Sequence, residues 1–223
     1  MFPDHRLKKF ALSLIALCLA APARSQTSAD LSLLSQYAGR GVAFDPDPVL
    51  QLRVEHDTDQ GWYGGVFASP VAIGGRRQGQ LTTYGGRAQR LSSTLSWDAG
   101  ISRSVYLRDA SLNYHEWYVG LALDRASARL FYSPAYYGDE RSVYLDLNGA
   151  YPLGERLSLA LHGGLLHPLD EPRGAARLID LRLALVADLG DYSLQAGWQV
   201  KGQAYLAGTT RARALTASIS RRF

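Results

Sequence analysis

The stretch Tyr192-Ser193-Leu194-Gln195-Ala196-Gly197-Trp198-Gln199-Val200-Lys201 alternates apolar and polar residues step by step. Successive side chains of an extended strand point to opposite faces, so Tyr192, Leu194, Ala196, Trp198 and Val200 share one face. Ser193, Gln195, Gln199 and Lys201 share the other. An amphipathic helix needs a period near 3.6 residues, and this stretch lacks it. The same period runs outward through the chain. Leu50, Leu52 and Val54 alternate with Gln51, Arg53 and Glu55, and Leu95, Trp97, Ala99 and Ile101 with Ser96, Asp98, Gly100 and Ser102. Val143, Leu145, Leu147 and Tyr151 oppose Tyr144, Asp146 and Asn148, while Ile179, Leu181, Leu183 and Leu185 oppose Asp180 and Arg182. The pattern predicts twelve strands, over 31–44, 48–57, 62–69, 79–88, 94–106, 113–123, 127–137, 141–152, 157–167, 178–188, 191–203 and 211–223.

The connections carry a second signal. Asp57–Gly61, Asp124–Ala126, Leu153–Arg156 and Leu189-Gly190 read as tight turns. Longer links over 70–78, 107–112, 168–177 and 204–210 stand between them. Outer-membrane barrels alternate short periplasmic turns with longer outside loops, and most of these strands reach the roughly 9–11 residues that a tilted crossing takes. A soluble secreted β-protein shares the alternation but gives no reason for the loop asymmetry.

Composition narrows the class. The chain has 223 residues, 47% hydrophobic and 20% charged, with a formal charge of +4, so it is not of a disordered type. Its single cysteine excludes a disulfide scaffold and a cysteine-rich metal site. Beyond residue 25 no apolar run approaches the roughly 20 residues of a membrane helix. The N-terminus carries Arg6, Lys8 and Lys9, then the apolar run FALSLIALCLAA, then Ala21-Pro22-Ala23. A basic head, a short apolar stretch and a small-residue exit predict a signal peptide over 1–23, with cleavage as late as 25, and a barrel domain over 24–223. Cleavage leaves a nearly neutral chain without cysteine, and so without a basic nucleic-acid footprint. Leu17 before Cys18 argues against a lipoprotein signal. All 13 tyrosines and 4 tryptophans follow the leader, many near strand ends, where an interfacial girdle wants them. The last strand ends Leu215-Thr216-Ala217-Ser218-Ile219-Ser220-Arg221-Arg222-Phe223. The alternating set Leu215, Ala217, Ile219 and Phe223 looks like the signal read by the outer-membrane barrel assembly machinery.

Several segments resemble the TorF family of porins, a proteobacterial family of conserved hypothetical proteins. They are Ser35-Gln36-Tyr37-Ala38-Gly39-Arg40-Gly41-Val42, Asp47-Pro48-Val49-Leu50-Gln51, the stretch Gly61–Ser69, Trp117-Tyr118-Val119-Gly120-Leu121 and Tyr144–Leu153. Ala38-Gly39 departs from the bulkier pair that the family pattern carries before Arg-Gly. The resemblance runs from Leu31 to the C-terminus. It implies an outer-membrane β-barrel and supplies no catalytic motif.

The candidate chemical motifs are weak. His115-Glu116 is half of a zinc-protease H-E-x-x-H, without its second histidine and on a strand that scatters the spacing. Asp57-Thr58-Asp59-Gln60-Gly61 resembles the start of a calcium loop without its distal glutamate, and a hairpin turn favours the same residues. Asp45-Pro46-Asp47-Pro48 reads as a rigid solvated loop. No G-x-S-x-G elbow occurs. The reading is therefore an all-β, twelve-stranded antiparallel up-and-down barrel that is not an enzyme. It needs no cofactor or metal and binds no nucleic acid. Its partners are outer-membrane lipids, the assembly machinery and small hydrophilic solutes or ions that pass through a narrow lumen. A plugged structural or surface-interaction barrel is the alternative. A membrane-embedded hydrolase, pairing His56, His115, His162 or His167 with a serine, is a third reading.

Strand parity assigns the faces. Arg40, Arg53, Arg129, Arg182 and Lys201 are expected inside with Glu55, Asp98, Glu116, Asp146 and Asp180, a charge-balanced and weakly selective set. Trp97, Tyr151, Tyr192 and Phe223 lie on the apolar parity at the periplasmic end of their strands and are expected to form an interfacial belt.

Overall fold

The computed structural model describes residues 25–73, 76–170, 177–205 and 208–223; the leader read over 1–23 lies outside the described residues. The strands are β1 (Ser25–Leu34), β2 (Tyr37–Gly39), β3 (Val42–Asp45), β4 (Val49–Thr58), β5 (Trp62–Ile73), β6 (Arg76–Arg90), β7 (Leu95–Tyr106), β8 (Tyr114–Leu123), β9 (Ala126–Tyr136), β10 (Glu140–Pro152), β11 (Leu157–Pro168), β12 (Arg177–Leu189), β13 (Tyr192–Tyr205) and β14 (Gly208–Arg222). Twelve of them, β1 and β4 to β14, close one antiparallel barrel in sequence order. The seam joins β1 to β14, from Asp30 opposite Arg222 to Leu34 opposite Ser218. Closure leaves no open strand edge, which lipid could not satisfy.

The outer wall is apolar. Leu50, Ile101, Trp117, Val119, Leu121, Leu161, Leu183 and Leu194 are all exposed on it. Such an exterior suits hydrocarbon, and the polar parity turns inward. Ser25, Phe223 and the connections after β4, β6, β8, β10 and β12 sit at one end, the inner mouth. At the opposite, outer mouth, a short 3₁₀ turn at Ala110–Leu112 follows β7, and Arg141 holds the loop after β11 through Asp170 (Nη2–Oδ1 2.5 Å). That guanidinium keeps the Asp170 carboxyl below the usual carboxylate range.

Three expectations need correction. The first predicted strand, 31–44, is not one strand. Strand β1 ends at Leu34, and residues 37–45 turn back as the separate β2–β3 hairpin. Arg40 (φ 53°) and Gly41 (φ 78°) both take positive φ, the geometry of a two-residue hairpin turn. Gly39 pairs with Val42 across the turn, so parity inverts there, but Ala38, Gly39, Gly41 and Ala43 leave too few large side chains for the pattern to show it. Secondly, the long links at 70–78 and 204–210 shrink, because β5 runs to Ile73, β6 starts at Arg76, β13 runs to Tyr205 and β14 starts at Gly208.

Thirdly, most tyrosines do not join a girdle. Tyr63, Tyr84, Tyr118 and Tyr144 point into the barrel, and Tyr106, Tyr114 and Tyr136 are buried at its outer end. Glycines on neighbouring strands make the room. A Cβ on Gly65 would stand 2.5 Å from the Tyr84 hydroxyl, and one on Gly86 2.6 Å from that of Tyr63. Gly100 underlies Tyr118, and Gly164 underlies Tyr144, in the same way. Each ring lies against the wall where its neighbour has no side chain. Gly100→Val should therefore destabilise the refolded barrel by about 1–3 kcal/mol, the usual cost of overpacking, read as a lowered urea midpoint in detergent.

Candidate functional site

The lumen holds a cavity of about 650 Å³. Its outer side is the hairpin, through Tyr37, Ala38, Gly39, Arg40 and Phe44. Toward the inner mouth it is lined by Asp57, Ala88, Ser96 and Ala122. The hairpin is fixed by both apolar and ionic contacts. Tyr37 stacks on Phe44 with centroids 4.9 Å apart, and Phe44 is buried. At the turn, a Cβ on Gly41 would lie 2.8 Å from that of Leu178 and 3.0 Å from the Ile179 carbonyl, so only glycine lets the tip meet β12.

Arg40 is the centre of this contact. Its guanidinium makes a two-pronged pair with Glu116, at 2.5 Å (Nη1–Oε1) and 2.9 Å (Nη2–Oε2). It also lies over the rings of Tyr144 (4.6 Å), Phe131 (4.9 Å) and Tyr136 (5.7 Å). Bidentate pairing and ring stacking are the two things guanidinium does and ammonium does poorly. Arg40 thus faces the lumen from a hairpin inside the barrel rather than from a wall strand, as parity had placed it.

The other inward candidates divide into sectors. Arg53 and Glu55 come from β4; Arg53 lies over Phe67 at 5.6 Å, and Tyr84 donates to Glu55 at 2.5 Å. Asp98 pairs with Arg129 at 2.7 Å, and Arg129 covers the Tyr118 ring at 4.9 Å. Tyr63 donates to Asp98 at 2.9 Å, and its oxygen lies 2.8 Å from that of Tyr118. Asp146 and Asp180 flank His162 at 3.4 and 3.7 Å, and Gln199 donates to Asp180 at 2.9 Å. Arg182 lines the cavity beside them. Lys201 stands opposite Asp180 in the β12–β13 register, but its side chain lies outside the described residues.

Among the described side chains four guanidiniums and six carboxylates line the cavity, Asp57 being the one not expected there; Lys201, the fifth expected cation, lies outside them. Strand β4 runs on to Thr58, so a residue read as a turn aspartate is the last inward position of a strand. His162, Gln199, Tyr63, Tyr84 and Tyr118 line the cavity as well. The sequence places Gln199 on the polar face and offers His162 as a hydrolase candidate, but it does not single out the three tyrosines, whose rings suit an interface as well as a lumen.

Tyr151, Tyr192 and Phe223 are exposed and lie at the inner mouth. Trp97 shares the outward register of Leu121, and it also borders the cavity. Leu215 and Ile219 are exposed on the outward parity of β14, with Ala217 between them. His115 and Glu116 face opposite sides of the wall, so the half zinc motif is divided by the barrel itself.

A family of bacterial proteins of unknown function, Gcw_chp, matches residues 20–217. This chain belongs to the Gcw_chp family. No curated protein sequence matches it. Among solved structures the Gcw_chp barrel is similar to the KdgM porin, at 13% identity and TM-score 0.58, covering 88% of this chain and 99% of that one. It is also similar to the NanC porin (11%, TM-score 0.57, covering 86% and 98%). The TodX monoaromatic hydrocarbon channel, as its deltaS2S3 mutant, gives 10% and TM-score 0.53, covering 91% of each. At these identities the likeness is one of fold.

Proposed function

We propose that this Gcw_chp barrel is an outer-membrane porin of the TorF type. It lets small hydrophilic solutes or ions diffuse through a narrow lumen. The chain reaches the membrane by export behind its 1–23 leader and insertion by the barrel assembly machinery. The observation that carries the reading is a polar, charge-lined cavity inside a closed barrel with an apolar exterior. Twelve strands lie between the eight that side chains can fill and the sixteen or more of a wide aqueous channel. The named relatives in fold, two porins and a channel, support it, as does a KdgM structure in complex with disordered oligogalacturonate (TM-score 0.55, 12% identity).

Planar-bilayer recording tests the proposal. Discrete, small conductance steps are expected from the refolded mature chain, and a silent bilayer containing folded barrel rejects it. Six carboxylates against four guanidiniums and the expected Lys201 give a weak preference for cations, seen as a small reversal potential in a salt gradient. A strong anion preference would contradict this charge assignment. The hairpin favours a second reading, a barrel closed at rest, and the same recording separates the two.

A further inference from the structure

Arg103 is an outward-facing arginine set within the wall of the barrel, away from its rims. It is exposed on β7, between Ile101 and Val105 on the same face, while its neighbours Ser102 and Ser104 are buried on the lumen side. Among the other described outward arginines, Arg177 is exposed at the outer end of β12, and four have partners. Arg77 reaches Asp47 at 2.6 Å and Arg141 reaches Asp170; Arg87 lies over Trp62 at 5.6 Å, and Arg221 over Phe223 at 4.6 Å. Among the described residues no carboxylate lies within ion-pair distance of Arg103 and no ring lies beneath its guanidinium. The residue beside it across the β7–β8 ladder is His115, on the same outward face. The His115 ring stands edge-on to Trp117 (5.0 Å, 85°), and Trp117 stacks with Tyr132 at 6.0 Å.

Height along the strand matters, because a charge facing lipid is tolerated near an interface and costly at the midplane. Arg103 is eight residues beyond Leu95, the first residue of β7. At about 3.3 Å per residue and a tilt near 40° it lies roughly 20 Å above the inner end. The apolar band of such barrels is about 25 Å tall, so Arg103 stands near its outer edge, beside the Trp117–Tyr132 aromatic pair. A guanidinium without a protein partner, an imidazole next to it and an aromatic platform together make a headgroup cradle.

We propose that Arg103 and His115 bind the phosphate of a phosphorylated glycolipid in the outer leaflet, with Trp117 and Tyr132 against its acyl and sugar portions. The guanidinium takes the phosphate oxygens through paired N–H donors, and the imidazole adds a third. This rests on the reading that the barrel spans a membrane with its termini on the periplasmic side.

The test uses the refolded mature chain in neutral maltoside micelles with diphosphoryl lipid A as the probe, read by native mass spectrometry. Wild type is expected to retain the lipid, and Arg103→Leu to lose about five-fold in retention, which matches one basic residue's attraction to an anionic surface. Arg103→Lys should fall between them, and Arg87→Gln, at the inner end, should behave as wild type. Arg103→Leu removes a charge from an apolar wall, so it should fold at least as well, which heat-modifiable gel mobility verifies. Equal retention by Arg103→Leu and wild type overturns the site. Displacement of the lipid by millimolar inorganic phosphate overturns the lipid assignment in favour of a free anion. A wild-type chain that fails to fold in micelles or insert into vesicles rejects the membrane reading itself, a different result from insertion without lipid retention.

Discussion

Glu116→Ala is expected to raise the single-channel conductance several-fold and to make it flicker. Glu116 is buried, and it is the carboxylate that neutralises Arg40 inside the lumen. Removing one partner of a buried pair leaves the other charged and unsatisfied, which costs about 3–5 kcal/mol. Opposing release are the apolar contacts of the hairpin: burial of a ring such as Phe44 is worth roughly 1.5–3 kcal/mol. The two magnitudes are close, so loss of the ion pair moves the hairpin from firmly seated to exchanging. The double variant Arg40→Ala with Glu116→Ala removes the stranded charge as well. It should be quieter than Glu116→Ala alone, because no unpaired guanidinium then drives the hairpin out. Unchanged conductance and noise in Glu116→Ala would show that the apolar contacts alone hold the hairpin, or that current bypasses it.

This hairpin also marks the limit of what the sequence discloses. The twelve barrel strands are legible because hydrocarbon outside and water inside enforce a period of two along the wall. Parity then places Arg53, Glu55, Asp98, Glu116, Arg129, Asp146, Asp180 and Arg182 on the polar side without further information. All eight line the cavity. Tyr37-Ala38-Gly39-Arg40-Gly41-Val42 holds too few large apolar residues to show a period, so the pattern does not separate it from a wall strand. The clue was Arg40-Gly41, a pair in which glycine permits the positive φ of a tight turn. The tyrosines fail for another reason. A phenol is at home at a membrane interface or against a polar lumen, and only the cross-strand glycine decides between them. Gly65, Gly86, Gly100 and Gly164 lie on strands paired with the tyrosine strands, and this relation requires the register.

Deleting Phe223 should reduce the surface-membrane level of the protein severely while sparing the barrel that forms in detergent. The ring is 62% exposed, with the Arg221 guanidinium 4.6 Å from its centroid, so little packing is lost with it. Two backbone bonds go as well, Phe223 N to Ala29 O (2.8 Å) and Ala29 N to Phe223 O (3.3 Å). Each contributes about 0.5–1.5 kcal/mol net. The β1–β14 seam keeps its pairs from Asp30 opposite Arg222 to Leu34 opposite Ser218, and β13 holds β14 along its whole length. The truncated chain should therefore refold and keep heat-modifiable mobility. In cells the outcome depends instead on recognition before the seam exists. A final strand presenting Leu215, Ala217 and Ile219 without the terminal ring should be captured poorly by the assembly machinery and degraded in the periplasm. Fractionation of cells expressing both forms decides the matter. Wild-type levels of the truncated chain in the outer membrane would reduce Phe223 to one more aromatic at the inner mouth. Loss in cells together with normal refolding would assign it to assembly, because no packing or hydrogen-bond deficit of this size removes a closed twelve-stranded barrel.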